Sequence, residues 1–401
     1  MHNYIKIVVA GDVNSGKSTL IGRYLYESGS LCQGVMENIS QTCRNLNRDF
    51  EFAYLLDSFE EERKEELTID TTQCFCKLNK NKSIIFIDVP GHQELLKNML
   101  SGTSYASLAV LVIDISRSVM DQTKRHAFIL KFLGISKIII AINKIDAVNF
   151  NEDIFLKTKK QISRDFKNLG IEFIACVPVS AKNGDNLLRK SKDTPWYKAE
   201  PLSVILDKIE TKKDGNNFRF LVQDVFKTEE GKLAAGIIIS GNIKNGEKIF
   251  VLPEKEESSI KLIKYSTENI NSAKAPLAVG IILKDNINLK RGQILSDCHR
   301  PLVTRTITGK IICIRNIKLN SNLKFCCTVQ QAKVKIKQIN HVRDTVNLLP
   351  KKGLPEQNDV AEVILETSGE VVVEKYNGDN SLGRFVLLDS QGKISAIGII
   401  L

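Results

Sequence analysis

Nine residues close to the N-terminus constrain this chain more than any other stretch. Gly11-Asp12-Val13-Asn14-Ser15-Gly16-Lys17-Ser18-Thr19 fills every fixed position of the pattern G-x-x-x-x-G-K-[ST]. Ile5 to Ala10 before it reads as a buried strand, and Thr19 to Tyr26 after it reads as a helix. Strand, glycine loop and helix in that order form a cradle for a phosphate chain. Gly11 and Gly16 let the backbone curl until successive N–H groups aim at one anion. The start of the helix adds its positive dipole end. Lys17 places a compact charge between β- and γ-phosphates, and the Ser18 hydroxyl suits a magnesium ion.

Up to about residue 210, strands alternate with helical stretches. The expected strands are Lys6–Ala10, Thr71–Lys77, Ser83–Asp88, Leu108–Ile115, Lys137–Asn143 and Phe173–Pro178. The expected helices are Ser18–Ser28, Gln93–Ser104, Asp121–Leu133, Glu152–Leu169 and Leu202–Ile209. Several of the strands are unbroken apolar runs, as in a mostly parallel sheet covered by helices on both faces. Gly29 to Asp70 is long, polar and irregular, which marks a functional segment.

Four further signals fall at strand ends. Asp88-Val89-Pro90-Gly91 follows Ile84–Ile87, where the Asp88 carboxylate can hold a magnesium-bound water and Gly91 allows an N–H to approach the γ-phosphate. Asn143-Lys144-Ile145-Asp146 follows Ile138–Ile142. The Asp146 carboxylate can accept from guanine N1 and the exocyclic amine; adenine has no such donor pair and leaves the carboxylate unpaired. Asn143 and Lys144 are expected to brace the base and the phosphate loop. Ser180-Ala181-Lys182 can offer backbone N–H to guanine O6. Thr68 closes the long polar segment and can join the magnesium shell when a γ-phosphate is present, which makes an order–disorder switch. His92 follows Gly91 and can orient the attacking water. The set expected to bind GTP is therefore residues 11–19 with Asp88, Gly91, Asn143, Lys144, Asp146, Ser180, Ala181 and Lys182. Ser18, Thr68 and Asp88 serve Mg²⁺, and Lys17, Thr68 and His92 serve catalysis.

After the linker Thr211–Asn217 the pattern changes to short strands separated by glycine turns. Phe218–Val225, Gly236–Gly241, Lys248–Leu252, Ser259–Tyr265, Ala278–Leu283 and a piece around Ile294 suit one small antiparallel barrel. Val303–Ile314, Leu323–Gln330, Lys333–Ile339, Asp359–Leu365 and Phe385–Leu388 suit another. The expected domains are 1–210, 211–300 and 301–401. Lys333, Lys335 and Lys337 alternate with Val334 and Ile336, which reads as a solvated face over a core face.

The net charge is +11, and its excess is uneven. Signs nearly cancel up to residue 210, but Pro301–Pro350 holds nine basic residues and one acidic. That admits a polyanionic partner without specifying one. The nine cysteines are odd in number and contain no C-x-x-C pair. They argue against a disulfide framework and for a reducing cytoplasm. Cys74 and Cys76 are expected on the same face of one strand. No apolar run reaches membrane-spanning length.

Asp88-Val89-Pro90-Gly91-His92 resembles the D-x-P-G-H of translation-factor-class GTPases, and Asp57–Asp70 resembles that class's first switch. Three stretches resemble most the GTPase (large) subunit of bacterial sulfate adenylyltransferase: Gln122–Ile129, Asn183–Asn186 with Thr194–Tyr197, and Gly383–Asp389 with Ile397–Ile400. The resemblance spans essentially the whole chain. It implies a P-loop GTPase domain followed by two small barrels. It also implies a GTP-hydrolysing subunit that drives a small adenylyltransferase partner to make adenylyl sulfate from ATP and sulfate. The alternatives are an elongation-factor-type carrier of aminoacyl-tRNA and a diverged regulatory GTPase of a related pathway. Glu65-Glu66 stands where the family has Arg-Gly, and Asn14 where it has Asp. These departures bear on the rate of hydrolysis more than on binding. Val13 and Leu67 match the apolar pair that flanks the catalytic histidine.

Overall fold

The computed structural model of the chain describes residues 3–31, 52–55, 73–78, 82–88, 108–117, 121–209, 217–319, 321–346, 348–378 and 380–401. These form two units, one ending near residue 211 and the other following it.

In the first unit the apolar runs become strands β1 (Asn3–Gly11), β2 (Gln73–Lys77), β3 (Lys82–Asp88), β4 (Leu108–Asp114), β5 (Ile138–Asn143) and β6 (Ala175–Pro178). They lie in the order β2-β3-β1-β4-β5-β6. Every pairing is parallel except that of β2 with β3. β4 and β5 are buried along their whole length, as continuous apolar strands between two helical layers must be.

Four helices are described: α1 (Lys17–Glu27), α2 (Asp121–Phe132), α3 (Glu152–Asn168) and α4 (Leu202–Asp207). Ile5, Ile7 and Val9 share a core cluster with Leu20, Ile21, Tyr24 and Leu25 of α1 and Leu202 and Leu206 of α4. Val8 and Ala10, of opposite parity, are buried outside that cluster, and α2 packs against β1 and β4. Tyr24 meets the Phe86 ring edge-on at 5.1 Å, a geometry worth about 0.5–1.5 kcal/mol beyond area burial. α3 begins where Asn151 accepts from the Ile154 N–H at 3.0 Å, and Glu152 and Asp153 favour its positive end. Cys74 and Cys76 are buried on either side of exposed Phe75, so the two thiols do share one face. The helix expected over Gln93–Ser104 lies outside the described residues, as do Thr68, Gly91 and His92.

Register fixes where chemistry can occur. Val9 pairs with Asp88, Gly11 with Val112, Asp114 with Asn143 and Ile142 with Pro178. The carboxyl ends of five parallel strands therefore align along one edge, the edge at which open α/β sheets bind ligands.

The second unit contains two closed sheets. Strands β7 (Arg219–Thr228), β8 (Gly231–Ser240), β9 (Asn242–Lys244), β10 (Lys248–Leu252), β11 (Glu256–Tyr265), β12 (Glu268–Ile270), β13 (Ser272–Lys274), β14 (Leu277–Leu283) and β15 (Ile294–Ser296) come first. Their main sheet runs β10-β15-β7-β8-β14-β11-β12, and pairing of β10 with β11 closes it. Strands β16 (Leu302–Cys313), β17 (Leu323–Cys327), β18 (Gln330–Asp344), β19 (Asp359–Val373), β20 (Arg384–Leu388) and β21 (Ile394–Ile400) form a closed barrel in the order β16-β19-β18-β17-β20-β21.

The expected strand Leu323–Gln330 is instead two strands joined by a turn. Thr328 adopts φ 53° between them, a conformation that a β-branched residue does not advertise in sequence. Lys333–Ile339 is the middle of the second strand. Its lysines are exposed and Val334 and Ile336 are buried, and Lys337 pairs with Glu366 at 2.6 Å. Buried Arg219 ties the two barrels together: it donates to Glu374 at 2.8 Å and to Asp297 at 3.2 Å.

Candidate nucleotide site

The phosphate loop leaves β1 at Gly11 and enters α1 at Lys17. Gly16 has φ 90°, and a Cβ there would run into Asn143 Nδ2, so both backbone conformation and space demand glycine. Asn14 adopts φ 63°, a left-handed conformation that asparagine tolerates. Val13 is 68% exposed at the tip of the loop. Ser15 is buried, and its Oγ has no hydrogen-bond partner among the described residues. Lys17 folds back over the loop and donates to the Gly11 and Asp12 carbonyls, each at 3.0 Å. Burial pulls its ammonium below the ordinary lysine value, against the opposing pull of Asp88 and Asp12. Thr19 lies in the first turn of α1.

Ser18 Oγ donates to Asp88 Oδ2 at 3.1 Å. One hydroxyl and one buried carboxylate side by side are hard oxygen donors, the set that suits a magnesium ion which keeps waters and takes phosphate oxygens. The residues present fit that ion.

Asn143 is the strut between the two halves of the site. Its Nδ2 donates to the Ser15 carbonyl at 2.8 Å, and its Oδ1 accepts from the Ala181 N–H at 2.9 Å. The Ala181 amide is therefore turned to Asn143. The Lys182 N–H, by contrast, has no hydrogen-bond partner among the described residues. Ser180 is fully buried, accepts from the Asn183 N–H at 3.2 Å, and its carbonyl takes the Gly184 N–H at 2.7 Å. Asp146 is the second residue of a single 3₁₀ turn, Ile145–Val148. Its carboxylate makes no hydrogen bond or ion pair with any described residue, which leaves it available to a paired donor.

Lys144 does not reach the phosphate loop. Its Nζ pairs with Asp114 Oδ2 at 2.8 Å. Asp114 ends β4 opposite Asn143 and also accepts the Ser116 N–H at 2.9 Å and hydroxyl at 2.6 Å. Burial alone would raise the Asp114 carboxyl; Lys144 and Ser116 outweigh it and hold it below the usual carboxylate range. Sequence reasoning missed this anchor. Its only signal was an aspartate closing an apolar strand.

A second missed contact holds the loop from α2. Thr123 Oγ1 donates to Asp12 Oδ2 at 2.8 Å, and His126 Nδ1 stands 3.6 Å from Asp12 Oδ1. The longer separation is electrostatic rather than a hydrogen bond. Both residues sit in the Gln122–Ile129 stretch. Trp196 is a packing residue: its ring lies 5.2 Å from Phe155, and its Nε1 donates to the Phe150 carbonyl at 3.0 Å.

This arrangement can hold the phosphates of a nucleoside triphosphate together with a divalent cation. The chain belongs to the translation-factor class of GTPases: residues 2–239 match the Elongation factor Tu GTP binding domain, and residues 307–401 match the GTP-eEF1A C-terminal domain-like family. Among its relatives is sulfate adenylyltransferase subunit 1 of Bacteroides fragilis, 32% identical over 409 residues that cover 99% of this chain and 86% of that protein. The subunit 1 of Tolumonas auensis is 33% identical over 98% of this chain and 85% of its own length. The Saccharomyces cerevisiae Ski7 GTPase-like domain, solved with GDP and inorganic phosphate, superposes with a TM-score of 0.58 at 20% identity, over 100% of this chain and 98% of that one. It supports the fold. No helix among the described residues is long and apolar enough to cross a membrane.

Proposed function

We propose that this GTPase couples GTP hydrolysis to the formation of adenylyl sulfate from ATP and sulfate by a separate catalytic subunit, in the cytoplasm. The observation that carries the proposal is likeness over 99% of the chain to proteins named sulfate adenylyltransferase subunit 1. The chemistry gives such coupling a purpose. A mixed anhydride of sulfate and AMP forms strongly uphill from ATP, and a second hydrolysis can pull it forward. No second phosphate-loop motif that could hold ATP occurs in the chain, so the adenylyl transfer belongs to a partner.

In this reading residues 11–19 hold the triphosphate, and Lys17 exchanges the carbonyls of Gly11 and Asp12 for β- and γ-phosphate oxygens. Ser18, Thr68 and Asp88 would hold Mg²⁺, which neutralises phosphate charge when bound. Gly91 would offer its N–H to the γ-phosphate, and His92 would orient the water. Asp146 reads guanine N1 and its amine, and the Ser180–Lys182 loop meets O6, with the Lys182 N–H as the available donor. Domains 1–210, 211–300 and 301–401 divide the work between nucleotide and partner.

The test is purification of the GTP-loaded protein from its native cytosol, followed by assay of what accompanies it. A small adenylyltransferase that makes adenylyl sulfate only with GTP supports the proposal. Capture of aminoacyl-tRNA instead would make the chain a carrier of the elongation-factor type, with the basic stretch after Pro301 as its RNA surface.

A further inference from the structure

Arg23 lies two turns into α1, outside every motif of the site. Its Nη1 donates to the Lys182 carbonyl at 3.2 Å and its Nη2 to the Asn183 carbonyl at 2.8 Å. Its Nε meets Glu27 Oε1 at 2.6 Å, so a carboxylate one turn further along the helix aims the fork. The guanidinium also lies 4.9 Å from the Phe52 ring centroid and 5.8 Å from that of Tyr26. Gly184, next in the loop, has φ 90°, and a Cβ there would strike Glu27 Oε1. Glycine is thus what lets the loop come down on the Arg23–Glu27 pair. Three directed donors from one planar group match two successive carbonyls and a carboxylate, which a lysine cannot reproduce.

We infer that Arg23 is a positioning residue for base recognition: from the helix that begins at the phosphate loop, it holds the two peptide units that directly follow the one carrying the Lys182 N–H, and so keeps that N–H at the place where a purine 6-oxo group is read. The inference rests on the guanine reading of this site. It makes the phosphate helix and the base loop one rigid body, clamped by Asn143 from inside the sheet and by Arg23 from outside.

The test compares binding of GTP and of 6-thioguanosine triphosphate. The analogue keeps the N1–H and amino donors that Asp146 would read and weakens only the acceptor at position 6. The wild-type protein is expected to prefer GTP. In Arg23→Met that preference should collapse: GTP binding falls about tenfold, the analogue's much less. Arg23→Lys should recover part of the preference. Glu27→Gln, which leaves the arginine but releases its aim, should shift the ratio the same way by a smaller factor and keeps the test open if Arg23→Met folds poorly. Equal loss of both nucleotides, or an unchanged ratio in Arg23→Met and Glu27→Gln, overturns the inference and leaves Arg23 a structural residue. A wild-type protein that does not prefer GTP to ATP would overturn the guanine reading itself.

Discussion

At the phosphate end of the site, Lys17 commits its ammonium to the carbonyls of Gly11 and Asp12, and Ser18 gives its hydroxyl to Asp88. At the base end, Asn143 is locked from both sides while the Asp146 carboxylate has no partner among the described residues. Binding at the first end must therefore exchange protein contacts for ligand contacts, and only the difference appears as affinity. Binding at the second end adds bonds to a frame already made. In the proposed reading the base end selects at little reorganisation cost, and the phosphate end is the one that changes state.

The largest effect should follow from Lys17→Ala. Two charge-assisted bonds to phosphate oxygens are lost, on the order of a thousandfold in GTP affinity. In the nucleotide-free protein the same change removes the ammonium that ties the loop to itself, so the amides from Asp12 to Gly16 should exchange hydrogen faster. Unchanged exchange together with weakened binding would mean that Lys17 serves only the ligand, and the exchange picture of this end would be wrong.

Asn143→Ala tests whether the base end is a prebuilt frame. It strands the Ser15 carbonyl and the Ala181 N–H, both buried, at a cost of about 2–4 kcal/mol in unfolding free energy. Chemical denaturation measures that directly. A loss below about 0.5 kcal/mol would mean that the strut is dispensable and the two ends are independent.

Asp146→Asn should leave stability nearly untouched, since the carboxylate holds nothing among the described residues. It should weaken GTP on the order of a hundredfold and admit xanthosine triphosphate, whose oxygen at position 2 accepts where guanine donates. Titration with both nucleotides reads the swap. Equal GTP affinity in the variant would remove Asp146 from the site.

The two ends also differ in how far the sequence revealed them. Residues that meet a ligand sit in short local patterns, because one phosphate chain or one base edge must be met by neighbouring atoms. Gly11–Thr19 and Asn143–Asp146, on which the proposed reading rests, stand out in the sequence for that reason. The residues that hold those patterns in place were not. Asp114 reaches Lys144 only because β4 and β5 pair in the register that sets Asp114 beside Asn143. Thr123 meets Asp12, and Arg23 meets Asn183, across separations that no local period encodes. Five parallel strands were readable from apolar runs, since burial on both faces leaves little else for them to be. The barrels were less so. β9, β12 and β13 have three residues each, too few for an alternation to register, and the turn at Thr328 carries no glycine or asparagine.

The smallest predicted effect concerns Asp12, whose carboxylate α2 holds through Thr123. Burial alone would raise its carboxyl, but His126, Thr123 and Lys17 outweigh burial and hold it below the usual carboxylate range. A depressed carboxyl contributes stability above its unfolded value of about 3.9 and loses it as pH falls through the folded value. Asp12→Asn should therefore be less stable than the wild type at pH 7 by under about 1 kcal/mol, because the group remains partly solvated. The gap should narrow as the pH drops below about 4. Denaturation midpoints at the two pH values test it. A gap independent of pH would mean that Asp12 titrates alike in the folded and unfolded protein, and that neither Thr123 nor His126 favours its charged form.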